Sequence, residues 1–310
     1  MNVMETSSLG KAFGGRTVLD GVSFGVKKGE VFGFLGPNGA GKTTTLRLLL
    51  GLLEPDDGEA LVFGDRLADR DDLRRRVGVL LEGNGLFDQL SARENLDYYG
   101  RLYGVPDLAQ RISDILVLTG LEERAGSAVG TFSTGMKRKL GLGRALLHEP
   151  EILFLDEPSS GLDPEAQRMV RELIIEVSRH ESVTVFLNSH NLDEVQRVCD
   201  TVAILDRGRI RAYDRVAALV ENRGGVHFTL TLADAGDASR AEGILAAMEE
   251  VRDYRIADGV ITTVLPEGAA PAEVLARLVR EGILIEEARK TRRSLEEIYL
   301  DAVGPTEGSA

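Results

Sequence analysis

The feature of this sequence that most constrains its fold is a glycine-rich loop, Gly36-Pro37-Asn38-Gly39-Ala40-Gly41-Lys42-Thr43, which follows the apolar run Val31–Leu35. The run predicts a short strand, and the leucine-rich pattern after the loop predicts a helix. Glycines let such a loop curl so that its backbone N–H groups point inward, and the positive end of the helix dipole faces the same space. This arrangement predicts a phosphate-binding loop, in which Lys42 reaches the terminal phosphates, Thr43 holds Mg²⁺ and Thr44 also contacts the ligand.

The rest of the first two thirds of the chain alternates strand-like runs with helical patterns. The further strand-like runs are Val77–Leu81, Ile152–Leu155, Val183–Leu187 and Val202–Leu205. Such alternation is typical of an α/β domain whose sheet is largely parallel and covered by helices on both faces. Only helical patterns occur over about residues 90–150, where Ser91 and Glu94 form a capping box. We therefore predict a helical insertion between two strands of the sheet.

Two acids end one of the strand-like runs. Asp156 and Glu157 directly follow Ile152–Leu155. Because side chains alternate across a strand, the two carboxylates need not have the same role. Parallel sheets bind ligands at the carboxyl ends of their strands, so Asp156 is expected to hold Mg²⁺ and Glu157 to orient or deprotonate an attacking water. Acids at strand ends are often only solvated caps, and the phosphate-binding loop is what favours the functional interpretation here.

Composition and charge exclude several classes of protein. The net charge is −13 over 310 residues, which argues against a surface that binds nucleic acid. Cys199 is the single cysteine, so neither a disulfide framework nor a cysteine-based metal site is expected within the chain. No secretory signal is visible, and the apolar stretch Leu48–Leu53 is far shorter than the about 20 residues that span a bilayer. We expect a cytoplasmic protein whose role at a membrane depends on a partner.

A second unit is predicted after the pattern breaks near residues 221–225. The predicted elements are a strand at Phe228–Leu232, a helix at Ala241–Met248, a hairpin of Tyr254–Ile256 and Val260–Leu265 across Asp258-Gly259, a helix at Pro271–Val279, a strand at Ile283–Ile285 and a helix at Ser294–Leu300. The order β-α-β-β-α-β is that of a small α+β ferredoxin-like domain. We predict a first domain over 1–221 and an accessory domain over 222–310, in which no catalytic group stands out.

The phosphate-binding loop and the acid pair together resemble the ATP-binding cassette (ABC) family of P-loop NTPases, and the resemblance covers nearly all of the first domain. Phe132–Met136 lies where that family has its signature motif, departing from the common pattern at Thr134 and Met136 and keeping Ser133 and Gly135. A helix-capping serine, a backbone N–H and the helix dipole make a second anion site. In the family this site closes on the γ-phosphate held by another subunit, so the resemblance implies an ATP-bound homodimer.

Further positions match the family in order along the chain. Ser160-Gly161-Leu162-Asp163 resembles the loop that contacts the partner subunit, and His190 corresponds to the switch histidine, which contacts the γ-phosphate and helps to position Glu157. Phe13 takes the place of an aromatic residue that stacks on adenine, although such a residue is often part of the core. Glu82 stands where the family usually has a glutamine. Its carboxylate is an oxygen ligand for Mg²⁺ but adds negative charge beside the triphosphate.

The resemblance implies an ATP-hydrolysing subunit that drives a separately encoded permease from the cytoplasmic face of the cell membrane. The signature variant and the trailing segment Arg293–Leu300 are similar to those of drug or sodium exporters. Two alternatives are a soluble ABC-type mechanoenzyme that acts on ribosomes or DNA, and a regulatory cassette with little turnover. The mechanoenzymes usually have two cassettes, coiled coils or basic segments, none of which is visible in the sequence, and only Glu82 favours the regulatory cassette.

Overall fold

The computed structural model describes residues 2–221, 226–248, 251, 253–266, 270–291 and 294–303. These residues form two compact units, of which the first comprises the residues up to Val216 together with Ala302 and Val303, and the second spans Ala217–Asp301. The strands of the first unit are β1 (Asn2–Phe13), β2 (Arg16–Lys27), β3 (Val31–Leu35), β4 (Asp57–Val62), β5 (Val77–Leu80), β6 (Ile152–Asp156), β7 (Thr184–Ser189), β8 (Thr201–Asp206) and β9 (Arg209–Arg215). Its helices are α1 (Lys42–Leu49), α2 (Asp71–Arg74), α3 (Ala92–Tyr103), α4 (Leu108–Thr119), α5 (Thr134–Leu146), α6 (Pro164–Glu181) and α7 (Leu192–Val198).

A six-stranded sheet positions the predicted site. Its strand order is β5-β6-β7-β3-β8-β9, and all neighbours are parallel except β8 and β9. The inner strands β3, β6 and β7 are buried along their whole length. Since parallel strands end at the same edge of a sheet, the residues that follow β3, β6 and β7 meet there. The predicted α/β domain with a largely parallel sheet is confirmed.

An antiparallel sheet with the order β2-β1-β4 is an element that the sequence analysis does not predict. A cluster of phenylalanines joins this sheet to the parallel one. The ring centroid of Phe24 on β2 lies 5.1 Å from that of Phe32 on β3 and 6.0 Å from that of Phe186 on β7. Each such pair adds about 0.5–1.5 kcal/mol beyond the burial of apolar area. The strand that precedes the glycine-rich loop is therefore held within the parallel sheet and packs against the antiparallel one.

The helical insertion consists of α3, α4 and α5, as predicted. The Ser91 hydroxyl accepts a hydrogen bond from the Glu94 N–H at 3.2 Å, and the Glu94 carboxylate accepts one from the Ser91 N–H at 2.7 Å. The predicted capping box at the start of α3 is confirmed. Asn95 is fully buried in the same helix, and its side chain accepts from the Phe87 N–H at 2.8 Å and donates to the Phe87 carbonyl at 3.0 Å. These bonds hold the loop between β5 and α3 against the insertion.

The elements after the first unit are α8 (Val216–Glu221), β10 (Val226–Leu232), α9 (Ala238–Ala246), β11 (Asp253–Ala257), β12 (Val260–Leu265), α10 (Pro271–Arg280), β13 (Ile285–Thr291) and α11 (Leu295–Val303). The four strands form one antiparallel sheet with the order β11-β12-β10-β13, which suits a β-α-β-β-α-β unit. Asp258 and Gly259, with φ of 52° and 75°, form the predicted hairpin turn. Residues 222–225, at the predicted domain boundary, lie outside the described residues, as does Arg293.

The predicted strand at Ile283–Ile285 is placed too early. Gly282 has a φ of 82° and ends α10, and the N–H of Ile283 donates to the carbonyl of Leu278 at 3.0 Å. A hydrogen bond of this kind ends a helix, and it is accompanied here by burial of Ile283. Ile283, which suggested a strand, therefore belongs to the cap of α10. The strand β13 begins only at Ile285. In the described ranges, no helix combines the length and the apolar character needed to cross a membrane.

Candidate functional site

The glycine-rich loop lies between β3 and α1, where the sequence predicts it. Gly39 and Gly41 have φ of 81° and 112°, which favour glycine. A Cβ atom at Gly36 would lie 2.3 Å from the carbonyl oxygen of Leu205, and one at Gly41 would lie 2.5 Å from Leu19 Cδ2. Side chains are thus excluded by backbone shape at some positions and by close packing at others. The loop leads into the first turn of α1, whose N–H groups have no partners within the helix.

Lys42 is a buried cation at the start of α1, with 7% of its surface exposed. Its Nζ atom donates to the carbonyl of Gly36 at 2.7 Å and lies 3.8 Å from Glu157 Oε1. Burial lowers the pKa of Lys42 below its usual value, and the charges of Glu157 and Asp156 oppose that shift. An ammonium group that has already lost most of its water is well placed to bind a strongly anionic ligand.

Asp156 and Glu157 both line a cleft that the glycine-rich loop also lines. Asp156 is the last residue of β6, and its Oδ1 accepts from Asn188 Nδ2 at 3.1 Å. Glu157 has left the strand, with a φ of 50°, and its N–H donates to the carbonyl of Asn188 at 2.9 Å. A continuous pleat would direct the two carboxylates to opposite faces, and the left-handed turn at Glu157 brings them to one edge. The position of the pair is predicted from the sequence, and this turn is not.

His190 follows β7 and contacts the second acid. Its Nδ1 lies 2.7 Å from Glu157 Oε2. Since Glu157 Oε1 is the oxygen near Lys42, the carboxylate lies between an ammonium group and an imidazole. Asn188, on β7, orients Asp156, and its own Oδ1 is buried without a hydrogen-bond partner in the described part of the chain. The three predicted catalytic residues therefore meet at one point.

An open cleft of about 1030 Å³ surrounds these groups. The predicted residues that line it are Pro37, Asn38, Gly39, Ala40, Gly41, Lys42, Thr43, Thr44, Glu82, Asp156 and Glu157. The loop, the segment after β5 and the end of β6 thus contribute to one site. Arg16, Thr17 and Val18 of β2 also line the cleft and were not identified from the sequence. Within the described residues, no group of three or more His, Cys, Asp or Glu side chains is arranged to hold a metal ion.

The chain is similar in sequence and structure to known ATP-binding subunits. The family model described as ABC transporter matches residues 19–160. The chain is 33% identical over 306 residues to the bacitracin transport ATP-binding protein of Bacillus licheniformis, with 97% of each protein covered. The chain belongs to the ABC transporter family. As a member of it, the chain is an ATPase.

Two further ABC proteins illustrate the similarity. Nod factor export ATP-binding protein I of Ralstonia nicotianae is 36% identical over 253 residues, which cover 80% of this chain and 77% of that protein. A solved ATP-binding subunit of an ABC transporter is 32% identical and superposes with a TM-score of 0.64, covering 71% of this chain and 92% of that one. The P-loop NTPase fold of the first unit follows from these matches together with the sheet order.

The ABC signature segment lies at the start of α5. The Ser133 hydroxyl accepts from the Met136 N–H at 3.2 Å, so Ser133 caps the helix as predicted. Gly135 packs closely against α6, because a Cβ atom there would lie 3.0 Å from Ala166 Cβ. Asp163 Oδ1 accepts from the Ala166 N–H at 2.9 Å and caps α6. Both caps are confirmed, and the contacts of these residues with ATP or a second subunit stay predictions.

Phe13 lies at the end of β1, outside the set of residues that line the cleft. Its side chain is 47% exposed, and its ring centroid is 5.6 Å from Lys11 Nζ. Phe13 is therefore not a core residue, which was the alternative interpretation. Its contact with adenine stays a prediction.

Arg138, in the ABC signature helix α5, is the main site residue that the sequence analysis missed. It is 6% exposed, and its guanidinium donates to the carbonyl groups of Pro158, Asp156 and Leu81 at 2.8, 2.8 and 3.0 Å. It also donates to the carbonyl of Glu157. Burial lowers the pKa of Arg138, and the carboxylates of Asp156 and Glu157 oppose the shift. One side chain thus links the signature helix to the backbone that carries both acids.

Proposed function

We propose that this chain hydrolyses ATP as the motor subunit of an exporter whose membrane-spanning part is a separate polypeptide. The observation that carries the hydrolytic part is the Glu157 carboxylate, with one oxygen 3.8 Å from Lys42 Nζ and the other 2.7 Å from His190 Nδ1. Export is supported by the relatives, one of which is named for Nod factor export and another for bacitracin transport.

The triphosphate binds at the glycine-rich loop. Backbone N–H groups of Asn38, Gly39 and Gly41 and of the first turn of α1 donate to the phosphates, and Lys42 neutralises their terminal charge. Lys42 then exchanges its bond with the Gly36 carbonyl for charge-assisted bonds, which are about twice as strong as neutral ones. Because Lys42 is already buried, little further desolvation opposes this exchange.

Magnesium fits the oxygen groups of the cleft. Thr43, Glu82 and Asp156 all line it, and the Asp156 carboxylate is oriented by Asn188. Mg²⁺ usually takes one or two protein carboxylates and completes its coordination with phosphate oxygens and water. We propose that Thr43 and Asp156 hold the ion, with Glu82 beside it. When bound, the ion neutralises negative charge on the phosphates.

Glu157 activates the attacking water. His190 holds one carboxylate oxygen, and the other becomes available to the water when Lys42 turns to the phosphates. The water oxygen bonds to the γ-phosphorus, the bond from phosphorus to the bridging oxygen breaks, and ADP leaves. The water proton passes to Glu157 and from there to the released phosphate. A positioned general base of this kind contributes about 10²–10⁴-fold to the rate.

A second copy of the chain completes the site. Ser133 and Asp163 lie at exposed helix starts, where the positive end of the dipole suits an anion. We place ATP between two copies, with Ser133 of each copy bonding to the phosphate held by the other. This homodimer drives the permease as a peripheral protein on the cytoplasmic face of the membrane. The accessory domain, over 222–310, supports the dimer or regulates it.

The alternatives have less support. A regulatory cassette with little turnover needs an incomplete hydrolytic site, whereas Glu157 contacts both Lys42 and His190. A mechanoenzyme on ribosomes or DNA needs a surface that attracts phosphate backbones, whereas the net charge is −13.

Two substitutions test the hydrolytic mechanism. Glu157→Gln keeps a polar group beside the water and removes the base, so it should bind ATP and Mg²⁺, lose ~10²-fold or more in turnover, and accumulate as an ATP-bound dimer. Lys42→Ala removes the cation of the phosphate site and should bind ATP poorly and stay monomeric. Phosphate-release rates and size-exclusion chromatography with ATP separate the two defects. Near-normal hydrolysis by Glu157→Gln would exclude Glu157 as the base.

The exporter assignment needs its own experiment. The tagged chain is purified from its native membrane, and the hydrophobic protein that co-purifies with it is identified. A multi-spanning permease supports the proposal, and a ribosome or DNA complex contradicts it.

A further inference from the structure

The backbone at Glu157 requires support from its surroundings. Its φ of 50° lies in the left-handed region, where a residue with a long side chain is strained. Such a conformation persists only when neighbouring groups hold it. The side chain depends on the same turn, because a residue with ordinary strand angles would direct its carboxylate away from the edge where Asp156 lies. Whatever holds this turn also positions the base.

Two hydrogen bonds clamp the peptide groups of Glu157. On one side its N–H donates to the carbonyl of Asn188 at 2.9 Å. On the other side its carbonyl accepts from Arg138 Nη2, which also donates to the carbonyl of Asp156 at 2.8 Å. Arg138 Nε adds a bond to the carbonyl of Pro158 at 2.8 Å. The guanidinium therefore bonds to three successive carbonyl groups, with Glu157 in the middle.

The same guanidinium reaches the segment after β5. Arg138 Nη1 donates to the carbonyl of Leu81 at 3.0 Å and to Asn84 Oδ1 at 3.2 Å, on either side of Glu82. Arginine suits this position because its donors form a rigid planar fork that can bond to several acceptors at once. One side chain of α5 thus links two segments that are far apart in sequence, residues 81–84 and 156–158.

We propose that Arg138 is a positioning residue for hydrolysis: it holds the Glu157 turn in place and links it to the ABC signature helix. Arg138 lies in α5, whose first turn is capped by Ser133, so a shift of that helix on closure of the dimer moves the guanidinium and the turn together. This inference rests on the proposed role of Glu157 as the base. Arg138 also lines the cleft, and the bonds described above join it to backbone carbonyls and to Asn84.

The test uses the full chain and two arginines of the same helix. Arg144 is the matched control, because it also donates to a backbone carbonyl from α5, that of Val79 at 2.8 Å, but has no bond to residues 156–158 among the described contacts. Arg138→Met should lower kcat for ATP hydrolysis by ~10-fold or more while KM for ATP changes by less than ~2-fold. Arg138→Lys should recover part of the loss, and Arg144→Met should keep kcat within ~2-fold of the unmodified chain.

A double-mutant cycle distinguishes positioning from a general structural role. If Arg138 acts through Glu157, Arg138→Met should change the residual turnover of Glu157→Gln by less than ~2-fold, because the group that it positions is already lost. If the losses of turnover caused by Arg138→Met and Glu157→Gln multiply in the double variant, the proposal is overturned. An unchanged kcat in Arg138→Met would overturn it as well. Thermal melting identifies a variant that does not fold, in which case Arg138→Lys replaces Arg138→Met in the cycle. The role of Glu157 as the base is tested separately, by the turnover of Glu157→Gln alone. Near-normal hydrolysis by that variant would contradict that role and not the contacts of Arg138.

Discussion

Replacing Ser133 by alanine tests whether the signature serine does more than cap a helix, and the chain offers a matched control. The Ser133 hydroxyl accepts from the Met136 N–H at 3.2 Å, and the Ser91 hydroxyl accepts from the Glu94 N–H at the same 3.2 Å. Ser133 is exposed and Ser91 is half-buried, and both begin helices of the same insertion. Loss of such a cap lowers stability by about 1 kcal/mol, so Ser133→Ala and Ser91→Ala should be destabilised by similar amounts.

Only Ser133→Ala should also impair catalysis. A hydrogen bond to a charged group contributes about 1.5–3 kcal/mol, and the loss of one to the γ-phosphate should lower kcat/KM by about 10- to 150-fold. Urea unfolding measures the first effect, and steady-state ATP hydrolysis measures the second. An equal fall of kcat/KM in Ser133→Ala and Ser91→Ala would show that Ser133 is only a helix cap.

Three other predictions follow from the structure. Glu82→Gln removes a charge from the cleft lining and should change turnover or coupling to the permease more than ATP affinity; identical turnover and transport would show that Glu82 is a solvated loop residue. A chain truncated after about residue 222 should keep its affinity for ATP, measured by titration with a fluorescent nucleotide, because every predicted site residue precedes Val216; loss of affinity in a folded truncated chain would contradict this. Glu194 is 4% exposed, and burial raises the pKa of its carboxyl group, although the hydroxyls of Ser159 and Ser189 donate to it. The raised pKa means that the carboxylate destabilises the fold at high pH and that the penalty disappears as the pH falls through the folded-state pKa. Glu194→Gln should therefore be more stable than the unmodified chain at pH ~8, with a difference that shrinks towards the usual carboxyl pKa of ~4.3. Urea unfolding at several pH values checks this, and a difference independent of pH would contradict it.

Local signals explain which parts of the fold were predictable. The strands β3, β6 and β7 contain short continuous apolar runs, and the capping box at Ser91 is a pattern of residues close in sequence, so both can be recognised without knowing the fold. The antiparallel sheet has no such signal. In β1 the pairing with β2 shifts register between Thr6 and Leu9 and again between Leu9 and Lys11. These bulges break the alternation of apolar and polar residues on which strand prediction depends.

The site shows the same division. The sequence identifies Lys42, Asp156 and Glu157 because the glycine-rich loop and the acid pair each follow a strand-like run. The identity of a glutamate, however, does not predict a φ of 50°. That angle results from tertiary contacts with Asn188 and Arg138. For Arg138 a signal was present. It precedes the buried Leu142 by one helical turn and so is a charged residue on the apolar stripe of α5, which indicates a buried partner.

The left-handed backbone at Glu157 also bears on how such a site is lost. A residue in that conformation lowers stability by about 1–2 kcal/mol, a noticeable share of the about 5–15 kcal/mol that a domain has in total. Glycine or asparagine adopts the same angle with less strain, so folding does not select against them at this position. The backbone conformation therefore does not favour a glutamate here, and its carboxylate is kept for the contacts with Lys42 and His190 that serve activity. Descendants of this gene that no longer need hydrolysis can therefore change this residue at once and remain folded nucleotide-binding proteins.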